Sequence, residues 1–154
     1  MSCANNLKYF EDLGVGVEYQ SGSATISKEE IIEFAERFDP QPFHLDEECA
    51  KASIFGQLVA SGWHTAALAM RLRVTGPLRL AGGWVGLGVE SLKWPRPVLP
   101  GDTLSGMTEV LDKRESKSKP SLGIIRLRTR LFNQRGEQVF EVTSTQMVSR
   151  RPST

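Results

Sequence analysis

The sequence predicts an α+β fold in which a curled antiparallel sheet wraps around one central apolar helix. Three observations lead there. Four strand-like segments, 85–94, 103–111, 123–132 and 138–148, follow one another with mostly short links, and consecutive strands joined that way pair antiparallel. A helical segment from 61 to about 74 holds Trp63, Ala66, Ala67, Leu68, Ala69, Met70 and Leu72, with almost no polar face before Arg71 and Arg73. A helix apolar nearly all round is buried rather than laid on a surface. Gly82, Gly83, Gly86 and Gly88 crowd the strand that follows it; glycine in a strand marks a bend or a close backbone approach, and the alanine-rich helix is the expected close partner.

The elements are justified in chain order. Residues 1–16 read as an irregular N-terminal arm, and 17–26 as a strand that fades into small polar residues. Ser27-Lys28-Glu29-Glu30 is a capping box, with Ser27 accepting from the Glu30 amide and the Glu30 carboxylate reaching back. Behind it Ile31, Phe34, Ala35 and Phe38 fall at i, i+3, i+4 and i+7, an amphipathic stripe. Pro40 ends that helix, because the residue before a proline is pushed out of the α region. Asp46-Glu47-Glu48 opens a second, short helix, with Asp46 as its cap and acids in the first turn. Ser61 stands at the mouth of the central helix and Gly76-Pro77 stops it. The strand 123–132 alternates Ile125, Leu127, Thr129 and Leu131 with Arg126, Arg128 and Arg130. Pro100-Gly101-Asp102 and Asn133-Gln134-Arg135-Gly136 have turn chemistry, and the link 112–121 is longer and basic.

With 154 residues, the chain fits one domain spanning 1–154 and can bury a core without disulfides or metal. Composition is that of a soluble globular protein, 40% hydrophobic and 24% charged. A net charge of +1 gives no global field for nucleic acid or an anionic membrane. Cys3 and Cys49 are the only cysteines, so a reducing cytoplasm is expected. No signal peptide is read at the N-terminus, and no apolar run approaches the ~20 residues that span a bilayer.

The candidate site is the run Phe38-Asp39-Pro40-Gln41-Pro42-Phe43-His44-Leu45-Asp46. Asp39 and His44 lie five apart, neither a helical nor a strand pair, but in an irregular segment stiffened by prolines both can point into one cleft. The run Ala60-Ser61-Gly62-Trp63-His64-Thr65 opens the central helix, and Arg96-Pro97-Val98-Leu99-Pro100-Gly101-Asp102-Thr103-Leu104 enters a strand. These three pieces resemble the MaoC-like dehydratases, also called (R)-specific enoyl-CoA hydratases, which have the hot-dog fold. One position departs from the family pattern: members often carry Asn two residues after the Asp, where this chain has Gln41.

The resemblance implies reversible hydration of a trans-2-enoyl-CoA, or a related acyl thioester, to the (R)-3-hydroxy form. Water must be deprotonated as it attacks C3, a proton must reach C2, and charge growing on the thioester oxygen must be stabilised. Asp39 and His44 suit the first two as an acid–base pair. The free amides of Ser61, Gly62 and Trp63, at the positive end of the helix dipole, suit the third, with Gly62 the donor the resemblance favours. Phe38, Phe43 and Leu68 are expected to line the acyl pocket, and apolar surroundings from Phe38 and Phe43 would raise the Asp39 pKa. No metal or redox cofactor is needed; coenzyme A enters only as part of the substrate.

Blander readings stand beside these. Asp39 can be only a helix end and His44 only a core histidine. His44-Leu45-Asp46 could be half of an iron site, but the only other histidine is His64, and Asp46 is better explained as a cap. Ser61 lacks the frame of a nucleophile elbow. Lys113, Arg114, Lys117 and Lys119 form a basic tip that is by default solvated; contact with coenzyme A phosphates there, or at Arg96 or Arg79, is the weaker reading. Trp84 and Trp94 read as core or interface aromatics. Two rival functions share the fold: an acyl-CoA thioesterase and a non-catalytic acyl-CoA-binding protein. A lone curled sheet leaves an edge strand needing cover, so a homodimer or a dimer of dimers is expected.

Overall fold

The computed structural model describes residues 6–153. Seven strands and four helices follow in the order β1 (Leu7–Lys8), β2 (Glu18–Thr25), α1 (Lys28–Phe38), α2 (Pro42–Leu45), α3 (Glu47–Lys51), α4 (Gly62–Thr75), β3 (Arg79–Leu80), β4 (Val85–Lys93), β5 (Thr103–Glu115), β6 (Leu122–Phe132) and β7 (Gln138–Ser149). Five strands form one sheet in the order β2-β5-β6-β7-β4, every neighbour antiparallel. Bulges interrupt β2, β4 and β5 and bend the sheet across α4, which packs against β2 and β5. This is the hot-dog arrangement. Among the described residues no helix is long and apolar enough to cross a membrane.

Local chemistry sets the helix ends. Ser27 Oγ accepts from the Glu30 amide at 3.1 Å, and the Glu30 carboxylate accepts from the Ser27 hydroxyl at 3.0 Å rather than from its backbone. Asp46 Oδ1 accepts from the Cys49 amide at 2.8 Å and caps α3. Ser61 caps α4, and Gly76 follows its last turn. The main core joins α1 and α4 to the sheet through Ile31, Leu72, Leu104, Leu131 and Phe140, each nearly or wholly buried.

Four expectations change. The N-terminal segment is not an irregular arm over its described part. Leu7 and Lys8 pair in parallel with Arg79 and Leu80, and Phe10 and Leu13 are buried in a second core with Val110, Ile125, Leu127 and Val148. Phe10 lies over Gly123, where any side chain would collide with its ring. Residues 1–5, and with them Cys3, lie outside the described residues. Phe10→Ala is therefore expected to cost about 3–5 kcal/mol of unfolding free energy in urea titration; a solvated arm would shift it by no more than about 0.5 kcal/mol.

The glycines after α4 do not meet that helix. Gly82 and Gly83 turn the chain with φ of +84° each, a Cβ on Gly82 would meet Ser149 Oγ, and Gly86 faces Gln146 across β7. The basic link is also shorter than expected, since β5 runs on through Glu115.

The central helix is covered on one side only. Thr65, Ala69, Leu72 and Arg73 are buried, while Trp63, Met70 and Val74 stand exposed. The edge strand β4 exposes Val85, Leu87 and Val89. The helix is apolar on two sides, and the chain covers one of them.

Candidate active site

Asp39 ends α1 with φ −153° and ψ 67° and donates its amide to Ala35 O. The segment after it is more regular than expected. Pro42, whose fixed φ suits the first helical position, starts the single turn α2, and that turn carries His44. The turn brings His44 Nε2 to 3.2 Å from Asp39 Oδ2. His44 is 5% exposed, and its Nδ1 lies 2.7 Å from Val59 O. A carbonyl only accepts, so Nδ1 carries the proton, and a neutral ring presents the bare lone pair of Nε2 to the carboxylate. Two lone pairs at that distance repel. A proton between them makes the 3.2 Å contact favourable, and the distance lets one pass from either residue to the other.

Other donors complete the carboxylate. Gln41 Nε2 donates to Asp39 Oδ1 at 2.6 Å, and the Ser61 hydroxyl donates to Oδ2 at 2.7 Å. Gln41 stands at the N-cap of α2, yet its side chain caps nothing there; it turns back to the acid instead. The expectation of a raised Asp39 pKa is corrected. Burial does push it up, but the hydrogen bonds from Ser61 and then Gln41, with neighbouring His44, outweigh burial and hold the carboxyl below its usual range.

Ser61 also organises the mouth of α4. Its Oγ accepts from the Trp63 amide at 3.2 Å while its hydroxyl donates to Asp39. Of the three amides expected to be free, that of Trp63 is therefore engaged; the Gly62 amide, first in the helix, has no acceptor among the described residues. Ser61→Ala removes one donor to Asp39 and one cap. A depressed carboxyl contributes stability that is full above the unfolded pKa, about 3.9, and is lost as pH falls through the folded value. With a donor gone the folded pKa rises, so the Ala variant is expected to begin losing this contribution at higher pH. It also loses about 1 kcal/mol at neutral pH from the missing cap. NMR titration of Asp39 and acid unfolding check both.

Asp39, His44, Phe43, Gly62 and Trp63 line one cavity of about 470 Å³. Two of the expected acyl-pocket residues are absent from it. Phe38 is 65% exposed and packs on Phe34 and under Arg37, because the last residue of α1 lies beyond the core that holds Ile31 and Ala35. Leu68 packs against the main core instead. Walls that the sequence reading missed include Phe55, in the link between α3 and α4 and 5.2 Å from Phe43; Val59; Thr65; and Trp94, just after β4. An aromatic in the link between two helices was the one available signal for Phe55. Arg96 stands on the rim and pairs with Glu137 at 2.9 Å. His64 lies outside the cavity, stacked on Phe34 at 4.6 Å, and burial holds its pKa below the usual value. A larger cavity, about 780 Å³, lies at the far end of α4 beside Arg79 and Trp84. Its walls hold neither a carboxylate nor an imidazole.

This arrangement has counterparts. Residues 14–130 match the family model described as a MaoC like domain. A crystal structure of a MaoC-like dehydratase from Rhodospirillum rubrum is 49% identical, with a TM-score of 0.91 over 95% of this chain and 99% of that one. The uncharacterized protein YdeM of Bacillus subtilis is 31% identical over 140 residues, 91% of this chain and 98% of its own length. An (R)-specific enoyl-CoA hydratase of R. rubrum is 33% identical over 105 residues, 68% of this chain and 70% of that relative. A family match across most of the chain, and a fold shared end to end with a MaoC-like dehydratase, lead to one conclusion: the chain belongs to the MaoC-like domain family.

Proposed function

We propose that the protein is an enoyl thioester hydratase, adding water reversibly across a trans-2-enoyl-CoA to give the (R)-3-hydroxyacyl-CoA. The observation that carries this is the 3.2 Å contact of His44 Nε2 with Asp39 Oδ2, which we read as a one-proton pair, in a cavity shared with the unengaged Gly62 amide. The pair holds a water, takes one of its protons as the oxygen bonds to C3, and returns a proton to C2, so its own charge is unchanged over the cycle. Electron density displaced from the double bond collects on the thioester oxygen, where the Gly62 amide at the positive end of α4 receives it. Phe43, Phe55, Val59 and Trp94 give the cavity an apolar wall suited to an acyl group. The (R) outcome and the coenzyme A thioester are supported by the relative named an (R)-specific enoyl-CoA hydratase.

We also propose that a second copy covers the exposed side of α4 and the edge of β4. Trp63, Met70 and Val74 with Val85, Leu87 and Val89 present apolar surface beside an unpaired strand edge, the combination that oligomers bury. Light scattering is expected to give a dimer or a multiple of it.

The test of the activity is a panel of 2-enoyl-CoAs, short to medium and branched, followed by enoyl absorbance, free thiol and product configuration. Absorbance is expected to fall without thiol release. Free coenzyme A appearing as fast as the absorbance falls would turn the assignment to a thioesterase.

A further inference from the structure

We propose that Trp94 is a positioning residue that restrains the backbone of Gly62 and thereby the aim of its amide at the thioester oxygen; the proposal rests on the hydratase reading above. The first amide of a helix has no intrahelical acceptor, and glycine has the largest conformational freedom of any residue. A glycine at the first position therefore aims its N–H poorly unless something outside the helix holds it. Trp94 restrains Gly62 in two ways. Its Nε1–H donates to Gly62 O at 2.8 Å and fixes the Gly62–Trp63 peptide, and its ring covers the Gly62 Cα so closely that a Cβ there would lie 2.7 Å from Cε2 and 2.9 Å from Nε1. With that peptide fixed and the space over Cα filled, the Gly62 dihedrals that set the preceding Ser61–Gly62 amide have little freedom left.

The clamp is itself fixed. Trp94 directly follows Lys93, the last β4 residue, which is registered against Glu141 of β7. It precedes Pro95, which restricts it to extended backbone. The Trp63 ring meets it edge-on at 5.3 Å, so it is braced from the helix side as well. The same contact explains why position 62 takes no side chain: the space a Cβ would need is filled by indole.

The test is a kinetic and stability cycle over Trp94→Phe, Trp94→Leu, Gly62→Ala and the double variant Gly62→Ala/Trp94→Leu. Trp94→Phe keeps a ring and loses the donor; kcat is expected to fall about tenfold with KM within about twofold, the mark of an interaction used in the transition state. Gly62→Ala is expected to lose about a hundredfold or more, the scale of a displaced oxyanion donor. The double variant is expected to be more active than Gly62→Ala alone, because the collision is gone, and its urea midpoint should lie above the sum of the single shifts. Unchanged kcat in Trp94→Phe, or a double variant no better than Gly62→Ala in activity and midpoint, overturns the clamp. No hydration by the wild-type protein overturns the hydratase reading and the catalytic use of the clamp with it, whereas the urea cycle still reports whether the contact exists.

Discussion

Asp39→Asn is expected to lower the hydration rate by about 10²–10⁴-fold and to leave the fold nearly untouched. Both halves follow from the donors around the acid. Asp39 Oδ1 accepts from Gln41 and Oδ2 from Ser61, with His44 Nε2 beside it. An asparagine can keep its carbonyl oxygen toward Gln41 and turn its NH₂ toward Ser61 and His44. The Ser61 hydroxyl is reversible and can accept, and the bare Nε2 of a neutral His44 can accept as well. The substituted site thus keeps most of its contacts, but the N–H now between the residues is one that the asparagine does not give up. The one buried group that loses its partner is the Ser61 O–H, which gives up Oδ2 as acceptor, so the cost in stability stays within about 1–3 kcal/mol. What is lost is the group that exchanges a proton. A variant that stays folded and loses turnover supports the role; one that keeps turnover within about tenfold removes Asp39 from the chemistry. A non-catalytic acyl-binding protein would show equal affinity for substrate in both forms.

Much of this was legible because it is local. The Ser27 and Asp46 caps, the end of α1 at Pro40 and the strand alternation around Arg126, Arg128 and Arg130 depend on neighbours within a few residues, and each is found. Asp39 and His44 could be paired because only four residues separate them and prolines restrict the path. What stayed hidden depends on the tertiary path. Ser61 reaches Asp39 from 22 positions away, so the direction of the Asp39 pKa shift could not be read from its neighbours Phe38 and Phe43. Trp94 meets Gly62 across 32 positions. Phe10 gives no periodic pattern, since a two-residue strand and one 3-10 turn are too short for one. Phe38 was misplaced for a related reason: the i+7 position of a stripe lies toward the core only if the core extends that far along the helix, and here it stops near Ala35.

His44 is expected to matter as much as Asp39, and in a way that tests whether the two act as one unit. The ring makes two contacts with different tasks: Nδ1 donates to Val59 O, and Nε2 faces Asp39. His44→Asn places an amide donor near the Nδ1 position and nothing at Nε2, while His44→Gln reaches toward Nε2 and abandons Val59. Both are expected to lose about 10²–10⁴-fold in kcat. Only the Gln variant leaves the Val59 carbonyl without a donor, so it is expected to be the less stable by about 1–3 kcal/mol. Combining either with Asp39→Asn then separates two physical pictures. If one proton is shared, removing the second partner removes nothing more, and the double variant falls no further than about the worse single one, as groups that act as a unit do. If each residue lowers the barrier by itself, the losses multiply, to about 10⁴-fold or beyond, and the one-proton pair is refuted. A single-turnover measurement of enoyl absorbance on the four proteins reads that difference directly, since it follows the chemical step apart from product release.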